Sequence, residues 1–343
     1  MTYSAAVIGC GRAGFSYDLD PKRKEIYSHL GGYSKSDRIA NLIAVDENEQ
    51  TLSLVEAKFP NVRLYKSAKE MFRNESVDIV SIATPTKKRE NLIDLAIKHN
   101  VKAIFCEKPL SISLGSAIRI ARACESKNIS LAVNHFRRWD KLHIDVADYL
   151  KSGNLGTIQC VSIKYNNGVL NTGSHVFDLL RMFFGEITSV RTLPHNSLSD
   201  RPGDPTLSVI VKFQSGLFAD LIGCDSQFFR IFEIDIIGTK GRIVIDNGYN
   251  MAFYVLDTSP HNSEFKILQP RPAPFTGGRR FHYEDAVSNM IGSIEGGKKI
   301  LCDGNDGFKS LEASIAAWLS YCRREEVVLP LDERYFSIEV QDV

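Results

Sequence analysis

Close cysteine pairs are missing from this sequence. The seven cysteines are odd in number, no C-x-x-C occurs, and the nearest two, Cys106 and Cys124, stand 18 residues apart. That spacing excludes a zinc ribbon or a disulfide framework and points to a reducing compartment, with no metal site expected. Excess charge is missing as well: 42 Lys and Arg against 41 Asp and Glu leave a formal net charge of +1, whereas a general nucleic-acid binder carries a basic excess. No apolar run approaches the ~18 residues of a membrane span. The chain enters a strand pattern at once, without the basic and apolar regions of a leader. The expectation is a cytoplasmic protein with no nucleic-acid or membrane partner. Internal repeats and low-complexity tracts are absent too.

What remains is an ordinary globular composition in a chain of 343 residues, longer than one hydrophobic core usually serves, so two domains are expected. The first opens on "VIGCGRAG", residues 7–14. Residues 3–8 read as an apolar strand running into Gly9, Gly11 and Gly14, the context a dinucleotide loop requires. The first glycine allows a tight turn, the second a close approach of backbone to pyrophosphate, and the third close packing of helix on strand. Backbone N–H groups of Arg12 and Ala13 at the helix start would meet phosphate.

A second strand, 41–45, ends at Asp46. Its carboxylate suits both hydroxyls of an adenosine ribose and repels a 2'-phosphate, favouring NAD over NADP; otherwise it caps the next helix. Asp46 lies 32 residues after Gly14, against ~20 in the usual fingerprint. The stretch "YDLDPKRKEIYS" at 17–28 therefore reads as an insertion, either covering cofactor or substrate or forming a solvated loop, with the helix resuming near His29. Further strands at 77–84, 102–108 and 129–134 alternate with helices, which predicts a doubly wound parallel sheet. Ligands bind beyond the C-terminal ends of such strands. Those ends carry Ala83, Thr84 and Pro85, then Glu107, Lys108 and Pro109, then Asn134.

From residue 155 strands dominate. Residues 206–213 and 217–224 form a hairpin pattern around "QSG", extended by 229–238, 242–246 and 251–256, so an antiparallel sheet with one buried face is predicted. "SHVFDLLRMFF" (174–184) predicts a helix starting at a serine cap. The Pro- and Gly-rich 271–278 reads as a mobile connection, followed by helices near 282–296 and 305–324. The fold class is α/β: a Rossmann domain at 1–133 and an α+β domain at 134–343 for substrate and assembly. Helix 305–324 is a candidate to pack back toward the first domain.

The succession "GCGRAG", "ATPT", "CEKPLS", "VNHFRRW" and "NTGSHVFDLL", in this order and spacing along essentially the whole chain, resembles the glucose-fructose oxidoreductase and inositol dehydrogenase family (Gfo/Idh/MocA). The resemblance implies a nicotinamide-dinucleotide domain and a second domain on a large, mostly antiparallel sheet. The outer face of that sheet commonly makes the oligomer contact, so a homodimer or homotetramer is implied. Substrates are typically sugars, cyclitols or nucleotide-linked sugars, and hydride passes between a ring carbon and nicotinamide. The "GVLNTGSH" style is similar to members serving surface-polysaccharide or unusual-sugar synthesis.

The family pattern gives Lys108 contact with the substrate hydroxyl and the nicotinamide ribose, and an ammonium also stabilises a developing alkoxide. His175 is the candidate base, because imidazole titrates near working pH; read alone it would be a structural or surface histidine, and its match to the family motif reverses that reading. Many polyol-oxidising members have aspartate four residues before this histidine. Here Asn171 stands there, and it can bind a hydroxyl but cannot accept a proton. Asp178 either steadies His175 or lies on the helix surface. Arg137, Arg138, Lys164 and Tyr165 are candidates to meet an acidic or phosphorylated substrate, while the runs at 22–24 and 87–89 read as solvated charge. Two alternatives stay open: a catalytically silent NAD(H) sensor, favoured by Asn171, and a reductase of a non-sugar small molecule.

Overall fold

In the computed structural model, which describes residues 1–194, 203–247, 249–275 and 283–340, strands and helices alternate from the N-terminus. Strand β1 (Tyr3–Ile8) is followed by helix α1 (His29–Ser34), β2 (Ile39–Val45), α2 (Glu49–Lys58), β3 (Arg63–Tyr65), α3 (Ala68–Asn74) and β4 (Ile79–Ile82). Then come α4 (Thr86–Lys98), β5 (Ala103–Cys106), α5 (Leu114–Ser126) and β6 (Ser130–Val133). The strands form one sheet in the order β3-β2-β1-β4-β5-β6, with parallel pairing throughout. β1, β4 and β5 are buried along their whole length, as strands covered on both faces by helices must be. The order reverses beside β1, so the ends of β1 and β4 open onto a crevice where α/β sheets bind ligands.

The rest of the described chain runs α6 (Lys141–Lys151), β7 (Ile158–Tyr165), α7 (Gly173–Phe184), β8 (Ile187–Thr192), β9 (Val209–Phe213), β10 (Phe218–Gly223), β11 (Phe232–Gly238), β12 (Gly241–Asp246), β13 (Asn250–Thr258), β14 (Lys266–Arg271), α8 (Tyr283–Ile294), α9 (Gly304–Arg323) and β15 (Val327–Val328). β7 to β15 make a second sheet in the order β14-β13-β12-β11-β7-β10-β9-β8-β15. β7 and β10 pair parallel, and the other pairs are antiparallel. Strict alternation in β11 and β12 puts Phe232, Ile234, Ile236, Ile243 and Ile245 on the buried face. The other face carries ion pairs such as Lys164–Glu233 and Arg242–Asp235.

The chain divides into two compact units, and the division differs from the expected boundary at 133/134. The first unit takes 1–140, 283–309 and 334–340; the second takes the described residues of 141–275 together with 310–333. Local packing accounts for this. Trp139 donates its indole N–H to Asn289 on α8, and Ala132 on β6 pairs with Asp303. At Gly304 and Gly307 a side chain would collide with Leu131 and Val133 of β6. The first residues of α9 thus belong to the first unit and its remainder to the second. Residues 276–278 of the expected mobile connection lie outside the described residues, and Arg271 closes β14.

Candidate functional site

In the first unit the turn after β1 is built for an anion. Gly9 has φ +92°, where glycine is favoured, and a side chain there would lie 2.9 Å from the backbone of Ala83. A side chain on Gly14 would lie 1.9 Å from the carbonyl of Gly9, whereas at Gly11 nothing stands within 4 Å. Two glycines are thus demanded by packing and the middle one by open space that another molecule can enter. The N–H groups of Gly11, Arg12, Ala13 and Gly14 donate to no described residue, which leaves them for a phosphate. Thr84 Oγ1, at the neighbouring end of β4, is buried with no hydrogen-bond partner among the described residues. These features fit a dinucleotide.

Asp46 sits at the tip of β2 and is tied to the same turn, accepting from Cys10 N at 2.8 Å and from Asn48 N at 2.9 Å. It does not cap α2. Asn48 does, accepting from Gln50 N and Thr51 N, so that alternative reading of Asp46 is corrected. The insertion is a largely exposed loop that is held together by its own contacts. Asp18 accepts from Tyr27 N at 2.6 Å and from Ser28 Oγ, Lys58 Nζ reaches the Asp18 carbonyl, and the Arg23 guanidinium lies 4.1 Å from the Tyr17 ring centroid. The ladder of the glycine-loop helix resumes beyond it: the Ala13 and Gly14 carbonyls accept from His29 N and Leu30 N, where an unbroken helix would present residues 17 and 18.

The ends of β5 and β6 hold the polar cluster. Glu107 Oε1 accepts from Asn134 Nδ2 at 2.6 Å and lies 3.1 Å from His29 Nε2. Asn134 also donates to the Tyr283 hydroxyl at 3.1 Å. Burial alone would raise the Glu107 carboxyl; the hydrogen bond and charge of His29, the bond from Asn134 and the charge of Arg89 outweigh it and hold the group at about 2. Lys108 follows, half-buried, at the same strand end.

Arg89 corrects the reading of 87–89 as solvated charge. It is 5% exposed, donates Nε to the Thr84 carbonyl at 2.8 Å and Nη1 to the Glu107 carbonyl at 3.0 Å, and also reaches the Pro109 carbonyl. It clamps the "ATPT" turn to the "EKP" turn. The signal was helical phase: Arg89, Ile93 and Ala96 share the buried face of α4.

In the second unit Asn167 (φ +73°) and Gly168 (φ +88°) turn the chain out of β7 into a π-helical turn, Gly168–Thr172, that runs directly into α7. The buried Asp204 carboxylate holds this turn, accepting from Leu170 N at 2.7 Å and Asn171 N at 3.0 Å. A side chain on Gly168 would lie 1.9 Å from Asp204 Oδ2. Asn171 and His175, both half-buried, are four residues apart in continuous helical backbone and share a face. The expected serine cap is absent because the helix already runs through it; Ser174 lies inside α7 and donates to the Asn171 carbonyl. Asp178 is 1% exposed, which overturns its reading as helix surface.

Of the four residues expected to meet an acidic substrate, the structure turns Tyr165 and Lys164 away from such a role and gives Arg137 and Arg138 local partners. Tyr165 is fully buried, its hydroxyl donating to the Leu207 carbonyl at 2.6 Å and accepting from Leu207 N; strand alternation turns it into the core. The same alternation turns Lys164 outward, onto Glu233 at 3.0 Å. Arg138 is paired with Asp306 at 3.1 Å, and Arg137 is 7% exposed with its guanidinium 4.5 Å from the Phe136 ring centroid. Sequence reading missed His29, Tyr283, Arg89 and Asp204, because each acts by burial beside residues distant in the chain.

A sequence model described as "Oxidoreductase family, NAD-binding Rossmann fold" (GFO_IDH_MocA) matches residues 3–135, and its companion, "Oxidoreductase family, C-terminal alpha/beta domain", matches residues 167–329. The D-apiose dehydrogenase of Paraburkholderia graminis is 23% identical over 93% of this chain and 87% of its own. The myo-inositol 2-dehydrogenase of Thermotoga maritima is 23% identical over 83% of this chain and 89% of its own. The WlbA dehydrogenase of Bordetella pertussis, solved with NADH and UDP-GlcNAcA, superposes with a TM-score of 0.75 at 19% identity over 97% of this chain and all of that one. The structural likeness extends to the fold of the whole chain.

Proposed function

The chain belongs to the Gfo/Idh/MocA family of NAD-binding oxidoreductases, and on that premise we propose that it is an NAD(H)-dependent dehydrogenase acting on a ring hydroxyl of a sugar or cyclitol. The observation that carries the reading is the rim of the first unit: four N–H groups with no described acceptor at residues 11–14, Asp46 fixed beside them, and Lys108 on the end of β5. The curated relatives named for apiose and inositol oxidation support the substrate class. Nucleotide-linked sugars belong to the same class of candidates, since the structure of WlbA contains one.

Residues 11–14 and Asp46 would hold the dinucleotide, with Asp46 selecting against a 2'-phosphate. Bound NAD supplies the hydride acceptor. The carbinol carbon gives up its hydrogen with two electrons as hydride, and the hydroxyl gives up a proton, leaving a ketone or lactone. His175 takes that proton. Lys108 donates to the same oxygen and stabilises its negative charge as the O–H bond breaks. Asn171 orients the substrate through amide hydrogen bonds, and the proton chemistry rests on His175, since an amide accepts no proton.

Self-association would use the open face of the nine-stranded sheet, where Phe218 and Ile222 are exposed among ion pairs. The seven free cysteines suit the cytoplasm, and among the described residues no helix is long and apolar enough to cross a membrane. Turnover of NAD with free pentoses, hexoses, inositols and nucleotide-linked sugars, followed at the NADH absorbance band beside His175→Ala, tests the reading. A signal that the variant abolishes supports it. Asn171 favours one second reading, a regulatory NAD(H) sensor; binding of NAD with silence across the panel would move the function there.

A further inference from the structure

Glu107 presents its two oxygens differently. Oε1 takes hydrogen bonds from His29 and Asn134, whereas Oε2 receives none from a described residue, and the side chain is 13% exposed. His29 decides this division. Its side chain is 0% exposed, and its ring packs edge-on against Phe105 and Tyr283, with centroids at 4.5 and 4.9 Å, so it has no room to turn. Nδ1 lies 2.9 Å from Ser81 Oγ, which in turn lies 2.9 Å from the Tyr33 hydroxyl.

The proton inventory of this chain has a direction. An ionised carboxylate only accepts, so His29 Nε2 carries the hydrogen. Tyr33 can donate to Ser81 and Ser81 to His29 Nδ1, which leaves every member of the chain satisfied. The same geometry with both ring nitrogens protonated would need Ser81 to accept from His29. Either way Nε2–H points at Oε1.

We propose that His29 is a positioning residue: by occupying Glu107 Oε1 together with Asn134, it fixes Oε2 as the acceptor presented beside Lys108, where it receives a hydrogen bond from the bound nicotinamide nucleotide. The inference rests on the NAD-binding part of the reading above and not on the identity of the sugar. His29 itself touches neither substrate nor cofactor. It stands at the point where the insertion rejoins the glycine-loop helix, with its own N–H donating to the Ala13 carbonyl, so one residue ties the phosphate turn to the "EKP" turn.

The groups facing Glu107 define the control. They are His29 from α1, Arg89 from α4 and Tyr283 from α8, with Cys106 and Lys108 beside it in the chain. The Cys106 thiol is pushed up to about 12 by burial and the Tyr283 hydroxyl is raised by burial too, so neither changes charge between pH 5 and 8. Removing the His29 donor leaves the desolvation of Glu107 less opposed, and its carboxyl rises toward the range where it takes up a proton.

Calorimetric titration of NAD into the full-length protein, at pH 5.5 and pH 7.5, tests this with His29→Leu, His29→Gln and Glu107→Gln. The expected result is about tenfold weaker NAD binding for His29→Leu at pH 7.5, a further loss at pH 5.5 that the native protein does not show, and recovery in His29→Gln, whose amide N–H can replace Nε2–H. Glu107→Gln should bind weakly at both pH values alike. Ring-nitrogen NMR of the cofactor-free protein should show the His29 Nε2–H signal move in Glu107→Gln. If folded His29→Leu and His29→Gln bind NAD equally, or if the pH dependence of His29→Leu matches that of the native protein, the inference is overturned. Sugar turnover enters neither arm, so a wrong substrate class leaves this test intact.

Discussion

Lys108 and His175 are proposed for the chemistry because each sits inside a short string that resembles the family pattern. Their substitutions should separate in the kinetics. Lys108→Ala is expected to cut kcat severely while NAD affinity stays within a few fold, as measured by turnover beside titration; equal loss of both would count against its role. Arg89 was not legible in composition, since "KKR" reads as surface charge until it is placed on a helix. Arg89→Ala should destabilise the protein by about 2–4 kcal/mol, because buried carbonyls of Thr84, Glu107 and Pro109 lose their donor; chemical denaturation measures it. For Glu107 the sign of the pH effect follows from its depressed carboxyl, held at about 2 against an ordinary 4.5. Its contribution to stability is present above pH 4.5 and is lost as the pH falls toward 2. Glu107→Gln should flatten that part of the acid-unfolding curve.

Two elements show where spacing helps and where it stops helping. The excess between Gly14 and Asp46 marked 17–28 as an insertion, and the hydrogen bonds confirm where it enters. Ala13 and Gly14 bond to His29 and Leu30, and without 17–28 the Gly14–Asp46 spacing falls from 32 to 20 residues. Excision of 17–28 should therefore leave a continuous first helix, with near-native circular dichroism and retained NAD binding; an unfolded product would contradict the splice. The knot made by Asp18 with Tyr27 and Ser28 could not be read in advance, because it depends on which backbone N–H groups a loop turns inward. The π-helical turn before α7 is the second case. "SHVFDLL" predicted the helix, but the turn preceding it is set by Asp204, 33 residues beyond Asn171, and no local pattern signals it. Gly168→Ala should cost about 2–4 kcal/mol in thermal unfolding, from positive φ and collision with the Asp204 carboxylate.

At the scale of the whole molecule, the alternation of strand and helix, then the run of strands, was sufficient for the α/β class and for two sheets of the right kind. What the sequence order hid is that the first unit is completed by 283–309 and 334–340, segments whose partners lie more than a hundred residues upstream. Patterns of period 2 and 3.6 say which face of an element is buried, not which element buries it. Tyr165 was misassigned for the same reason: residue type suggested a ligand contact, and the surroundings supplied Leu207 instead. NAD at about a hundred times its Kd should stabilise the protein by about 2.7 kcal/mol through mass action alone, a check that needs no substrate.

The central claim is hydride transfer between nicotinamide and a ring carbon, and isotope transfer tests it most directly. A substrate found in the sugar panel, deuterated at the carbon that is oxidised, would be turned over with NAD and the NADH analysed by NMR. One deuterium at nicotinamide C4 for each NADH formed, lost in His175→Ala together with turnover, is the expected result. NADH that forms without deuterium, or NAD that binds and is never reduced by any panel member, would contradict a ring-carbon dehydrogenase.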